Sequence, residues 1–175
     1  GYLVVMQHPV TNEVENSNYN IKQTIDSIIE LKIPTLWFWP NMDSGTFQTV
    51  NEIRKLREKR NLSFIHFFKN MKSYDFLKLL NNSMCIIGNS SVAIRECSYL
   101  GVPAVNIGTR QNYRERGKNV IDVNYDSKEI TNAILKQVKV GKYSKSNIFG
   151  DGNSGLLISK ILSQVKLSFH KVINY

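Results

Sequence analysis

The sequence contains little cysteine and no long apolar run. Only two of its 175 residues are cysteines, Cys85 and Cys97, and both lie in apolar or helical segments. Two cysteines cannot cross-link a fold of this size, so we expect a reducing, cytoplasmic setting. No window approaches the roughly 18 uninterrupted apolar residues of a membrane helix, and the opening residues lack the features of a signal peptide. We therefore expect neither a membrane protein nor a secreted one.

The sequence patterns of several catalytic classes are also missing. No cluster of His, Cys and Asp has the spacing of metal ligands, and no Gly-x-Ser-x-Gly elbow or Cys–His pairing suggests a covalent nucleophile. No Lys followed by Ser or Thr closes a glycine-rich loop, as a Walker-type triphosphate site requires. Residues 150–155 do match Gly-x-Gly-x-x-Gly, but only residues 156–175 follow, which are too few for a dinucleotide-binding βαβ unit. We expect a turn there that leads into a terminal helix over 156–167, and we expect no metal or other cofactor.

Acidic residues are outnumbered by basic ones, 14 against 23, which gives a formal net charge of +9. An excess of this kind can indicate a nucleic-acid-binding module, and that class stays open as one alternative. Such a module predicts a basic stripe interleaved with exposed aromatic residues. The lysines are instead scattered over helical segments and the tail, and the densest basic run, residues 54–60, lies in a helical segment between two strands. We therefore expect no nucleic-acid partner.

What the sequence does contain is an alternation of short apolar runs with segments of helical period. The runs lack strict alternation, which is typical of strands covered on both faces. They span residues 3–6, 35–39, 63–66, 85–87, 104–107 and 120–123. Between them, apolar residues recur on one helical face, as Ile21, Ile25 and Ile28 do. This pattern predicts one α/β domain over residues 1–175, a Rossmann-like doubly wound parallel sheet that binds its ligand at the carboxyl ends of the strands.

The loop after the fourth strand has the composition of a phosphate site. Its sequence is Gly-Asn-Ser-Ser at 88–91, and its small residues and two hydroxyls precede a helical segment. Backbone N–H groups at such a point can hold a phosphate. Glu96, five residues after Ser91, is expected more than one turn inside the helix, where its carboxylate could accept bonds from ribose hydroxyls. The simpler alternative is that Ser90 or Ser91 only caps the helix.

Two further strand ends carry residues that could contact an anion. After the fifth strand, arginines occur at 110, 114 and 116. Arginine binds phosphate in a bidentate manner, so the position of this loop beside the fourth strand predicts an anion site for at least one of them. His8 ends the first strand and could act as a general acid–base or as a donor to a phosphate, although a lone histidine is more often structural.

Several of these motifs occur together and in order in one known family. They are Gln-His-Pro-Val-Thr at 7–11, Trp-Pro-Asn-Met-Asp-Ser-Gly at 39–45, Gly-Asn-Ser-Ser at 88–91, Ile-Arg-Glu at 94–96, Gly-Val-Pro-Ala-Val-Asn-Ile-Gly-Thr-Arg-Gln at 101–111 and Gly-Asp-Gly-Asn at 150–153. The set resembles the carboxyl-terminal half of the UDP-N-acetylglucosamine 2-epimerases, especially the hydrolysing branch that starts sialic-acid-type sugar synthesis. The resemblance covers nearly the whole chain.

The resemblance implies a glycosyltransferase-B-like enzyme of two domains, with the UDP-sugar substrate in the cleft between them. Members of the hydrolysing branch eliminate UDP across C1–C2 of the sugar to form a glycal. Water then adds and gives free UDP and a 2-epimeric sugar such as N-acetylmannosamine. By resemblance, His8 matches the functional histidine near the departing phosphate. Ser90, Ser91 and Arg110 match diphosphate-binding residues, and Glu96 matches the carboxylate that holds the ribose hydroxyls.

The resemblance leaves the amino-terminal domain of the family unmatched. In the family, carboxylates of that domain take the proton from C2, and the present sequence opens at Gly1-Tyr2 inside a strand-like run. We therefore expect a fragment that supplies the UDP-binding half, works with its own amino-terminal domain and is inactive alone; the family also suggests a possible homodimer. The sugar stays open between N-acetylglucosamine and a 2,4-diacetamido sugar. The alternatives are a glycosyltransferase-B transferase and a nucleotide-sugar-binding module without chemistry of its own.

Overall fold

The computed structural model describes residues 1–42, 44–58 and 62–166. Their strands form a six-stranded parallel sheet in the order β3-β2-β1-β4-β5-β6. The strands are β1 (Leu3–Met6), β2 (Thr35–Phe38), β3 (Ile65–Phe68), β4 (Cys85–Gly88), β5 (Ala104–Ile107) and β6 (Val120–Val123). The chain builds outward from β1 to one edge and then from β4 to the other. This confirms the doubly wound fold and puts its switch point between β1 and β4.

Helices cover both faces of the sheet. They are α1 (Ser17–Leu31), α2 (Thr46–Glu58), α3 (Ser73–Asn82), α4 (Ser91–Ile94), α5 (Glu96–Leu100), α6 (Ser127–Val140) and α7 (Ser154–Gln164), and a 3-10 helix over Thr11–Asn16 leads into α1. Residues of α1, α2 and α6 share one buried cluster, and residues of α3, α4 and α5 share the other. Within the described ranges, no helix combines the length and the apolar composition that a bilayer span needs.

Successive side chains of the central strands pack on opposite faces of the sheet. Leu3 and Val5 of β1 lie in the layer with α1, α2 and α6, whereas Val4 lies in the layer with α3, α4 and α5. All three are fully buried. This two-sided burial explains why the apolar runs of the sequence lack strict alternation. Cys85 and Cys97 are free and buried within these layers, and burial raises the pKa of Cys97 to about 12.

The third strand differs from its predicted position. The apolar run predicts it over 63–66, whereas it spans Ile65–Phe68. The register with β2 places Phe67 beside Trp37 and Phe68 beside Phe38, and both pairs of rings are in contact. Cross-strand aromatic contacts of this kind stabilise one register over its neighbours, and apolar content alone does not reveal them.

The last helix also differs from its predicted bounds. The prediction is 156–167, whereas α7 spans Ser154–Gln164 and residues 167–175 lie outside the described part of the chain. The Gly-x-Gly-x-x-Gly match at 150–155 is a turn into this helix, where the backbone N–H of Asn153 donates to the Asp151 carboxylate at 3.0 Å. Every described residue of α7 is exposed. The helix therefore contributes nothing to the two core layers, and a domain end at residue 175 stays a prediction.

Candidate functional site

The site begins where β1 and β4 end side by side. Met6 pairs with Gly88, whose φ of +128° is a conformation that residues with a side chain rarely adopt. A Cβ atom at Gly88 would lie 2.2 Å from the Met6 carbonyl oxygen. Glycine is therefore required for the two strands to approach this closely, and their following loops start in contact with each other.

Asn89 joins the loops that follow β1 and β4. Its side chain is fully buried, and its Oδ1 accepts the backbone N–H of His8 at 2.7 Å. Its Nδ2 donates to the His8 carbonyl oxygen at 2.8 Å. The backbone N–H of Asn89 also donates to the Met6 carbonyl at 3.1 Å. One amide thus holds both backbone groups of a residue that is 81 positions away.

The loop after β5 reaches the same point through its side chains. Gln111 is buried, and its Nε2 donates to the Asn89 carbonyl oxygen at 2.8 Å. Arg110 donates to the same oxygen through Nη1 at 3.3 Å. The structure therefore brings His8, the 88–91 loop and Arg110 together at the carboxyl ends of β1, β4 and β5.

The other two arginines of this loop have different surroundings. Arg116 forms a salt bridge with Asp122 at 3.1 Å and donates to the Gln111 carbonyl oxygen at 2.8 Å. Arg114 is exposed, and its carbonyl oxygen accepts a bond from Arg116. Of the three predicted candidates, Arg110 is the arginine that contacts the Asn89 backbone.

His8 is held in a defined orientation. Its side chain is buried, and its Nδ1 accepts the backbone N–H of Asn41, in the loop after β2, at 3.0 Å. A ring nitrogen that accepts a hydrogen bond carries no proton, so the proton of the neutral ring lies on Nε2. Nε2 is therefore the donor nitrogen of the neutral ring, and a donor is the kind of group that a phosphate contact requires.

The serines of the loop have local roles in the helix that follows. Ser90 is buried at the N-cap of α4, and its Oγ accepts the backbone N–H of Val92 at 3.4 Å. Ser91 is the first residue of α4 and is half-buried. The capping alternative therefore describes Ser90 in this structure.

Glu96 does not lie inside one continuous helix, and that expectation was wrong. The helix is interrupted at Arg95 (φ −88°, ψ −72°), so α4 has four residues and Glu96 is the first residue of α5. The Ser98 hydroxyl donates to the Ile94 carbonyl oxygen at 2.5 Å, a side-chain contact of the kind that bends helices. The Glu96 Oε2 atom is buried and has no hydrogen-bond donor among the residues that the structure describes.

A cleft of about 440 Å³ opens between His8 and Glu96. Its apolar lining includes Met71, which follows β3, and Phe76, which lies in α3. Phe76 packs edge-on against Phe38, with ring centroids 5.2 Å apart. In the sequence, Phe76, Leu77 and Leu80 share one face of a helical segment, so periodicity alone does not predict that Phe76 lines a cleft.

A second opening lies on the other side of the β1 loop. It measures about 370 Å³ and is lined by Pro9, Val10, Thr109 and Arg110. The two clefts are separated by the loop that carries His8, because His8 lines the first and Pro9 the second. A ligand with a charged centre could therefore extend into both clefts across this loop.

A cluster of polar side chains connects the β5 loop to the 3-10 helix and to α1. Thr109 donates from its hydroxyl to the Glu13 carboxylate, which also accepts from Asn20 at 3.2 Å. Tyr125 lies against the same carboxylate; burial raises the pKa of its phenol, and the charge of Glu13 raises it further. A Cβ atom at Gly108 would overlap the Tyr125 ring, 2.2 Å from Cζ. The position of Arg110 therefore depends on contacts with the 3-10 helix and with the segment after β6.

The basic run at 54–60 is partly engaged within the fold. Lys55 forms a salt bridge with Glu52 at 2.7 Å, and the Arg57 guanidinium lies over the Trp39 ring, 5.8 Å from its centroid. Lys59 and Arg60 lie outside the described residues. These contacts offer the nucleic-acid alternative no support.

Comparison with known sequences gives a consistent family assignment. The family model described as UDP-N-acetylglucosamine 2-epimerase matches residues 1–163. A UDP-N-acetylglucosamine 2-epimerase of Neisseria meningitidis is 31% identical over 154 residues, which are 88% of this chain and 40% of that protein. A UDP-N,N'-diacetylbacillosamine 2-epimerase (hydrolyzing) of Legionella pneumophila is 28% identical over 94% of this chain and 43% of its own length.

Solved structures show the same fold. The Methanocaldococcus jannaschii UDP-GlcNAc 2-epimerase in complex with UDP-GlcNAc and UDP matches with a TM-score of 0.68 at 19% identity, over 93% of this chain and 44% of that one. The Neisseria meningitidis enzyme bound to UDP-GlcNAc also has a TM-score of 0.68, at 13% identity, over 94% of this chain and 45% of that one. The chain thus spans less than half the length of these relatives, and the predicted Rossmann-like fold is confirmed.

Proposed function

The chain belongs to the UDP-N-acetylglucosamine 2-epimerase family, and on this basis we propose that it supplies the UDP-binding half of a hydrolysing 2-epimerase. The observation that carries the proposal is the convergence of His8, the 88–91 loop and Arg110 beside a cleft that Glu96 also lines. The buried Glu96 Oε2 atom has no donor within the described part of the chain. A donor-rich centre and a nearby acceptor are what a nucleoside diphosphate requires.

The two clefts suggest how a UDP-sugar would lie. Its uridine fits the first cleft, where Phe76 and Met71 offer apolar surface to the base and Glu96 offers an acceptor to the ribose hydroxyls. Its diphosphate would lie across the loop that carries His8, beside the loop at 88–91, where Ser90, Ser91 and the His8 Nε2–H group are the proposed donors. Arg110, in the second cleft, would neutralise the charge beside the sugar.

The reaction assigns a definite task to these residues. When the bond between C1 and the phosphate oxygen breaks, UDP leaves with the bonding electrons while a base removes the proton from C2. Donors already directed at the departing oxygens stabilise the charge that develops there, and this is the contribution that His8 and Arg110 would make. Addition of water to the glycal returns a proton to C2 and a hydroxyl to C1, which gives the free 2-epimeric sugar. We place the base in the part of the longer relatives that this chain does not span.

The hydrolysing outcome and the compartment are parts of the same proposal. Relatives from Legionella pneumophila and Campylobacter jejuni are named as hydrolyzing 2-epimerases of diacetylbacillosamine nucleotides. They support a hydrolysing reaction and leave the sugar open between N-acetylglucosamine and a 2,4-diacetamido sugar.

The free, buried thiols of Cys85 and Cys97 support a cytoplasmic protein. A homodimer stays a prediction.

Calorimetric titration of the chain with UDP tests the proposed site. We expect UDP to bind, and we expect Arg110→Ala to weaken binding about tenfold, because a charge-assisted contact to a phosphate is lost. Arg114→Ala is the matched control, since Arg114 is exposed in the same loop, and it should change the affinity by less than about twofold. Absence of UDP binding, or equal losses in the two variants, would contradict the proposal.

A further inference from the structure

Asn89 has an unusual concentration of contacts for a residue that cannot reach solvent. Its side-chain amide is bonded to both backbone groups of His8, and its carbonyl oxygen accepts from Gln111 and Arg110. Its own N–H is bonded to Met6. The loops after β1, β4 and β5 therefore meet at one buried residue, which lies at the switch point of the sheet.

The chemistry of this position suits asparagine in particular. The N–H of His8 needs an acceptor and its carbonyl oxygen needs a donor, and a primary amide provides one of each on a short side chain. Aspartate would place a lone pair against the His8 carbonyl oxygen, and alanine would leave both backbone groups buried without a partner. The amide therefore determines where the His8 backbone lies relative to the 88–91 loop.

We propose that Asn89 is a positioning residue that sets His8 and Arg110 in place for the diphosphate before the ligand binds. The inference rests on the proposed UDP site and goes beyond it, because it assigns the diphosphate preference to a residue that need not touch the ligand. Glu96, Phe76 and Met71 lie outside the contacts of Asn89, so recognition of the nucleoside should be independent of it.

Gln137 provides a control that distinguishes positioning of the diphosphate site from a general contribution to stability. Gln137 is also fully buried, and its Nε2 donates to the carbonyl oxygens of Ala104 and Asn119 at 2.7 Å each. Ala104 begins β5 and Asn119 precedes β6, so this amide lies at the amino ends of the strands. The proposed site lies at their carboxyl ends. Gln137→Ala removes a comparable set of bonds without affecting the three loops.

The test compares the affinities for UDP and uridine in three forms of the chain. In the wild type, UDP should bind more tightly than uridine. In Asn89→Ala, we expect the affinity for UDP to fall about tenfold or more while that for uridine changes by less than about twofold. In Gln137→Ala, the denaturation midpoint should fall while the ratio of the two affinities stays that of the wild type.

Each outcome has a distinct meaning. If the wild type does not prefer UDP over uridine, the proposed function itself is wrong. If the wild type prefers UDP but Asn89→Ala keeps that preference, or loses affinity for both ligands equally, the positioning role is wrong.

Two further measurements do not depend on the folding of Asn89→Ala. Asn89→Ser replaces the amide with one shorter hydroxyl group, which cannot reach both backbone groups of His8, and it should show the same selective loss of UDP affinity. In the unliganded wild type, the His8 amide should be protected from hydrogen exchange, because Asn89 already holds it. Exchange at the rate of an exposed loop amide would overturn the proposal.

Discussion

At the scale of single residues, the geometry of His8 is determined from two sides. Asn89 holds its backbone, and the N–H of Asn41 holds Nδ1 of its ring. The ring can therefore offer only Nε2–H to a ligand while this contact lasts. A histidine at the end of a strand gives no such information in the sequence, because Asn41 is 33 positions away.

Glu96 leads to a prediction about the ribose. Its buried Oε2 has no donor among the described residues, and ribose hydroxyls would satisfy it. We expect Glu96→Ala to lower the affinity for UDP about tenfold, since bonds to an ionised group are among the stronger ones. The affinity of Glu96→Gln should lie between those of Glu96→Ala and the wild type, because glutamine keeps one acceptor.

The matched ligand for this test is 2′,3′-dideoxy-UDP, measured by the same titration. Its affinity should be nearly equal in the wild type and in Glu96→Ala, because it lacks the hydroxyls that the carboxylate would bind. An equal loss for both nucleotides would show that Glu96 acts on the shape of the cleft rather than on the ribose.

At the scale of elements, the close approach of β1 and β4 depends on Gly88. Gly88→Ala combines a φ of +128° with a Cβ atom 2.2 Å from the Met6 carbonyl oxygen. We expect a loss of about 2–4 kcal/mol in the free energy of unfolding, measured by urea denaturation.

Gly141→Ala provides the comparison for that loss. Gly141 has a φ of +73°, but a Cβ atom added there would meet no other described residue within 4 Å, so only the backbone conformation is penalised. We expect a smaller loss, of about 1–2 kcal/mol, for this variant. Similar losses in the two variants would mean that β1 and β4 can separate at little cost.

The bend at Arg95 is the second element that matters for the site. It divides the predicted helix into α4 and α5, and Glu96, the first residue of α5, lines the cleft. Helical period predicts the existence of the segment but not this bend, because the bend involves the Ser98 hydroxyl and the Asn119 amide, which donates to the Ala93 carbonyl at 3.4 Å.

At the scale of the whole molecule, the length of the chain relative to its relatives leads to a prediction about turnover. The chain spans 40% of the Neisseria meningitidis relative. We expect the chain alone to release no UDP from UDP-N-acetylglucosamine above the uncatalysed background, because we place the base for the C2 proton outside it. Chromatographic measurement of UDP would check this, and steady release of UDP by the chain would contradict it.

The same assay distinguishes the three functions that stay open when it is applied to a longer protein that contains this chain. A hydrolysing 2-epimerase releases UDP and a 2-epimeric sugar with no acceptor present. A glycosyltransferase needs an acceptor, and a nucleotide-sugar-binding module leaves the sugar unchanged.

The net charge of +9 also belongs to this scale. Arg116, Lys55 and Arg57 interact with an aspartate, a glutamate and a tryptophan ring of the fold. Arg110 contacts the Asn89 backbone beside the proposed diphosphate site. The excess of positive charge is therefore a poor guide to the ligand, because a charge count does not reveal where in the fold each cation lies.

The sequence by itself determined the doubly wound sheet, the family and the loops in which to look for a site. Apolar periodicity and short motifs involve residues that are close together in the chain, so they can be recognised without the tertiary structure. Only the tertiary structure decided the register of β3, the bend before Glu96, the place of Phe76 in a cleft and the role of Asn89 as the contact between three loops. Each of these depends on atoms from residues far apart in the chain. The bonds between Asn89 and His8 are the clearest example, because they exist only once β1 and β4 lie side by side.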